Sequence, residues 1–124
     1  MKSCILLRFF LLYVVAILAH SANAGSAVAY DSHGHMVYSW GHPEKEAEAK
    51  ALAYCRQRYG SEAKILASSD LTGYCAIAVA RKGAGSVFAA SLGRRSATES
   101  QIIAIKKCLR AGGTNPRIKS GWYG

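Results

Sequence analysis

The sequence predicts an α+β fold of two tandem ββαβ repeats, a mainly antiparallel sheet with two helices packed on one face. Three observations carry this expectation. The chain reads twice, with Ala27-Val28-Ala29 matched by Ala76-Ile77-Ala78, Ser39-x-Gly41 by Ser91-x-Gly93, Glu46 by Glu99 and Cys55 by Cys108. Within each copy the apolar pattern switches from alternation to a helical period. Each helical stretch is also bounded by start and stop residues.

In the first copy, SAVAY is a short β-type run, and HMVYSW alternates so that Met36, Tyr38 and Trp40 share one side, the expected buried side. The connecting DSHG contains Gly34, which relieves the steric cost of a tight reversal. A helix follows, since Pro43 suits its first position, Glu44 and Glu46 favour the positive end of its dipole, and Gly60 can stop it. Ala47, Ala51, Cys55 and Tyr59 recur every fourth residue, a narrow stripe that lets the helix lie close to a sheet. EAKILA supplies the closing strand.

The second copy repeats the plan with CAIAVA, a turn containing Gly83 and Gly85, and SVFAAS. Ser96-x-x-Glu99 is a capping box, Ser100, Ala104 and Cys108 form the helical stripe, and Gly112-Gly113 is the stop. PRIKS is the last strand. Split apart, units of about 50 residues would each lack a sufficient core. Residues 25–124 are therefore expected to form one small domain, with repeats near 25–73 and 74–120.

Residues 1–24 have the build of a cleaved secretory signal. Lys2 and Arg8 lie near the start, the apolar run spans Phe9 to Ala19, and Ala22-x-Ala24 offers a small-residue cleavage site. The run is about half of the roughly 20 residues that span a bilayer, so no transmembrane span is expected after cleavage. The exported chain is expected in the periplasm or outside the cell. Three of the four cysteines survive cleavage, Cys55, Cys75 and Cys108. An odd count allows at most one internal bridge, with three pairings open and three free thiols as the alternative.

Without Lys2 and Arg8 the chain holds 14 basic and 7 acidic residues, unevenly divided. From Gly25 to Tyr74, 5 basic residues face 6 acidic ones; from Cys75 onward, 9 basic residues face Glu99 alone. Such a field draws in an anionic partner. The basic set consists of Arg81, Lys82, Arg94, Arg95, Lys106, Lys107, Arg110, Arg117 and Lys119, and the first seven are the candidate binding surface. Nucleic acid is not expected, because Phe88, Trp122 and Tyr123 are not interleaved with the basic residues as stacking platforms. Trp122 and Tyr123 can cover the sheet or anchor an interface.

The richest chemistry lies in YDSHGHMVYSWGH. Asp31, His33, His35 and His42 offer a candidate metal or acid-base cluster, because His33-x-His35 places two imidazoles on one side of an extended segment. Against this, the turn is exposed, and its counterpart in the second copy forms without histidine or carboxylate. No nucleophile and base stand together elsewhere, and no Gly-x-Ser-x-Gly elbow occurs. The balance is against an enzyme, and no cofactor is expected.

The order AVAY, a hairpin ending in aromatic-Gly, EAEAKALAYC, CAIAVA and a second helix ending in Cys resembles the secreted bacterial domain of unknown function 4189 family. The resemblance covers nearly all of Gly25 to Ser120 and implies a small exported α/β domain with no established catalytic site. It also implies a cysteine at the start of the strand after each helix, forming a short staple. Here residues near Ala63 and Pro116 stand in those places. The functional expectation is a non-catalytic interaction protein of the bacterial envelope, with an inhibitor or immunity-like role in its range. Its expected partner is an acidic protein or an anionic envelope component. The alternative is a metal-dependent or hydrolytic enzyme centred on the histidine cluster.

Overall fold

A computed structural model describes residues 24–60 and 62–124. Residues 1–23 of the expected signal peptide lie outside the described residues. The elements run β1 (Gly25–Asp31), β2 (Met36–His42), α1 (Glu44–Tyr59), β3 (Ala63–Ser69), β4 (Tyr74–Lys82), β5 (Gly85–Arg94), α2 (Ala97–Arg110) and β6 (Thr114–Tyr123). Among the described residues, six strands and two helices thus stand in the expected order. None of the described helices is long and apolar enough to cross a membrane.

The strands form two antiparallel three-stranded sheets, ordered β2-β1-β3 and β5-β4-β6, where the sequence suggested one. Each helix lies on its own sheet. In the first half Ala47, Ala51 and Cys55 of α1 pack on Ala27 and Ala29 of β1. In the second, Ala104 and Cys108 of α2 pack on Ala76, Ala78 and Ala80 of β4. The other faces of the sheets meet in a third core, where Val28, Met36 and Leu66 oppose Cys75, Ile77, Ala90, Leu92 and Trp122. A sheet with apolar residues on both faces has to be covered twice, by a helix and by a second sheet.

The two halves share a topology down to its irregularities. The first strand of each half is central, and its pairing with the last strand slips at corresponding places, between Val28 and Ala29 and between Ile77 and Ala78. Gly60 (φ 66°) and Gly112 (φ 88°) take left-handed conformations after the two helices, which a residue with a Cβ adopts at a cost. The starts differ more. Ser96 Oγ accepts a hydrogen bond from the Glu99 N–H at 3.1 Å, whereas Pro43 precedes α1 as a cap without a side-chain bond.

Two expectations need correction. The alternation of Met36, Tyr38 and Trp40 holds, but only Met36 reaches the core between the sheets. Strand β2 is an edge strand, and Tyr38 (37 % exposed) and Trp40 (50 %) lie at its rim, Tyr38 stacked on Trp122 with centroids 4.3 Å apart. The second correction concerns the single internal bridge that the odd cysteine count allowed, of which the alternative of three free thiols is the one found. Cys55, Cys75 and Cys108 are all free and buried, each in a different one of the three cores, so no two can meet.

Candidate functional site

The hairpin that raised the metal question is held by its own carboxylate. Asp31 ends β1 with its side chain fully buried, and its Oδ1 accepts the backbone N–H groups of His33 and His35, both at 2.9 Å. Its Oδ2 meets His35 Nδ1 at 2.8 Å. The His35 ring then stacks flat on Tyr59 in the last turn of α1, with centroids 4.0 Å apart. One buried acid thereby fixes the turn and ties it to the helix end. His33 lies beside His35 with ring centroids 6.2 Å apart, and His42 stands at the other end of β2, where its Nδ1 is 3.7 Å from Glu46 Oε1. The four residues therefore do not converge. Among the described residues, no group of three or more His, Cys, Asp or Glu side chains is placed to hold a metal ion.

Two of the three thiols are poorly suited to act as nucleophiles. Burial pushes the Cys55 thiol up from its ordinary pKa, and the Asp31 carboxylate pushes it further in the same direction; burial likewise raises Cys108. A thiol that resists ionisation is a poor nucleophile.

The basic residues of the second half fall into two groups. Arg94 ends β5, and Lys107 and Arg110 lie on the flank of α2 beside it. Lys107 Nζ donates to the Ala90 carbonyl at 2.9 Å, and its pKa is lowered by burial first and then by the charges of Arg94 and Arg110. These three cations are thus close enough to feel one another. Beside them a shallow groove of about 210 Å³ runs between the edge strands β3 and β5, lined in part by Ser68, Leu71, Arg94 and Lys107. Arg95 and Lys106 are exposed next to this flank.

Arg81 and Lys82 stand apart from it, at the β4–β5 turn. The Lys82 side chain runs past Gly112 at the C-terminal end of α2, a favourable place for a cation. Arg81 projects from the opposite face of the second sheet, because its neighbour Ala80 packs toward α2. There it shares a pocket with Arg117 of β6. The seven candidate residues are therefore not one patch. That Arg81 belongs with Arg117 depends on strand register, which local sequence does not display.

A distribution of charge separates the halves. Every ion pair among the described residues lies in the first half: His35 with Asp31, and His42 and Lys50 with Glu46. The Ser68 hydroxyl also lies 2.8 Å from Glu44 Oε1 and 2.6 Å from Glu48 Oε1. None of the second half's basic residues has an acidic partner among the described residues.

A family model described as a domain of unknown function, DUF4189, matches residues 26–120. The chain belongs to that family. The DUF4189 match takes in both halves and stops before Trp122 and Tyr123, which complete β6. No curated protein and no solved structure matches the chain.

Proposed function

We propose that this DUF4189 protein is an exported, non-catalytic interaction module of the bacterial envelope. Its second half engages an acidic protein or an anionic envelope polymer, as an inhibitor or immunity-like protein would. The observation that carries this reading is the set of unpaired cations on the second half. Positive charge left without internal partners costs stability by self-repulsion and is available to an external anion. The flank formed by Arg94, Lys107 and Arg110, with Arg95 and Lys106 beside it, is the contact surface, and Leu71 (60 % exposed) at the rim of the groove adds apolar area. Export by the segment before Gly25 places the module where such partners occur.

The test is capture of envelope components by the chain from Gly25 onward at two salt concentrations. Capture is expected to weaken as salt rises and to be lost when Arg94, Arg95, Lys106 and Lys107 are all changed to Glu. Capture that is equally strong in the variant and insensitive to salt rejects the proposal.

A further inference from the structure

The pocket shared by Arg81 and Arg117 has a chemistry of its own. Its lining of Val79, Ala80, Arg81, Ser86, Asn115 and Arg117 comes from all three strands of the second sheet and encloses about 370 Å³. The ladders explain how these residues come together. Val79 pairs with Arg117 across β4 and β6, and Arg81 pairs with Ser86 across β4 and β5, so all four belong to the face turned away from α2. Between the pairs Val79–Arg117 and Arg81–Thr114 the β6 strand carries one residue more than β4. This bulge holds Asn115 at φ 50° and re-aims the strand where it borders the pocket.

Two guanidinium groups thus border one small pocket with no carboxylate in its lining. Their mutual repulsion is relieved by an anion between them. The first half supplies a built-in control. Its corresponding pocket, about 320 Å³, is lined by Tyr30, Asp31, Ser32, Glu62 and Lys64, and its Tyr30–Lys64 pairing matches Val79–Arg117. There a single cation is accompanied by two acids, and Ser32 stands where the second half has Arg81.

We infer that the second-half pocket binds a phosphate monoester, clamped between Arg81 and Arg117. Planar guanidinium forks match the oxygens of phosphate bidentately, and Ser86 and Asn115 bring further hydrogen-bonding groups than a carboxylate can use. The volume accommodates a phosphate with a small substituent. The site excludes the α2 flank and stands whether or not that flank captures a macromolecule.

The chain from Gly25 onward, which holds every described element, is titrated at fixed ionic strength with inorganic phosphate, glycerol 3-phosphate and acetate, read by the NMR signals of the arginine side chains. Saturable one-to-one phosphate binding is expected, with acetate at least about tenfold weaker. Arg81→Gln and Arg117→Gln should each weaken phosphate binding by about tenfold or more, while an Arg94→Gln/Arg95→Gln variant binds as the parent does. Sedimentation with vesicles containing phosphatidic acid distinguishes the sources. Vesicle binding that the Arg81→Gln/Arg117→Gln variant loses assigns a lipid headgroup, and soluble phosphate binding without vesicle binding assigns a free or polymer-borne phosphate. Absence of saturable binding, or binding that survives the double substitution in a variant with an unchanged thermal melt, overturns the inference. The fourfold Glu variant of the α2 flank separates the two ideas, since it should lose envelope capture and keep phosphate.

Discussion

The two halves of the molecule use one backbone plan to opposite electrostatic ends. Both place small residues under a helix, a bulge in the last strand opposite the middle of the central one, and a left-handed glycine after the helix. The junction between hairpin and helix end is then filled in different ways. In the first half a buried carboxylate, Asp31, holds the turn and reaches Tyr59 through His35. In the second, Ala80 occupies the matching place and Gly113 closes against it, so that nothing polar is buried there. The small residues carry the architecture. The residues around them are free to diverge, the first half pairing some of its charges internally while the basic residues of the second half have no acidic partner among the described residues.

The largest expected effect comes from removing the acid that has no counterpart. Asp31→Ala strips a fully buried side chain of hydrogen bonds to two backbone N–H groups and one imidazole, and should cost about 3 kcal/mol, or roughly 15 °C in Tm. Asp31→Asn keeps an oxygen for the two N–H groups and should cost about 1 kcal/mol. Urea unfolding of the two variants measures the difference. Equal losses would mean that the charge and not the turn geometry matters.

Next in size is the apolar junction. A Cβ at Gly113 would lie 2.5 Å from Ala80 Cβ, 2.8 Å from Val87 Cγ1 and 2.9 Å from the Cys108 carbonyl oxygen, so Gly113→Ala forces helix and sheet apart. The expected cost is about 2 kcal/mol. Gly60 follows α1 at φ 66° with open space around it, and Gly60→Ala should cost only the left-handed backbone, about 1 kcal/mol. Thermal melts that rank these two in the reverse order would show that backbone conformation outweighs close packing at the helix ends.

Much of this plan was legible in the sequence because its signals are local. The stripes Ala47-Ala51-Cys55 and Ser100-Ala104-Cys108, the cap at Ser96 and the stops at Gly60 and Gly112 each declare themselves within a few residues, and all are found in place. The division into two sheets is not local, since it depends on which strands have no further neighbour. A trace of it was present all the same. Val28 lies between Ala27 and Ala29, and Ile77 between Ala76 and Ala78, so the central strands are apolar on both faces, the mark of a strand covered from two sides. The free thiols follow from the same division. Cys55 and Cys108 belong to separate helix-sheet cores and Cys75 to the space between the sheets. The histidine cluster misled because spacing along a strand brings His33 and His35 together but carries His42 to the far end, and the burial of Asp31 beneath the turn left no mark in composition.

The smallest expected effect probes the outward charges. Lys107 sits between Arg94 and Arg110 with its amine partly buried, so the folded chain gives up that proton more readily than the unfolded chain does. In the alkaline interval between the lowered folded value and the ordinary lysine value, the unfolded chain binds more protons, and stability therefore rises with pH. The gain is complete above the ordinary value and is lost as pH falls through the folded one. Arg94→Gln removes one of the two like charges and should move the Lys107 titration, followed by NMR of its side chain, back toward the ordinary range and flatten that rise. Glu99→Gln, a neutralised acid in the first turn of the same helix, should leave the Lys107 titration where it was. A Lys107 titration unmoved by Arg94→Gln would mean that burial alone lowers it and that the cations of this flank act one by one; a moved one makes them a single field, the property that capture of an anionic partner requires.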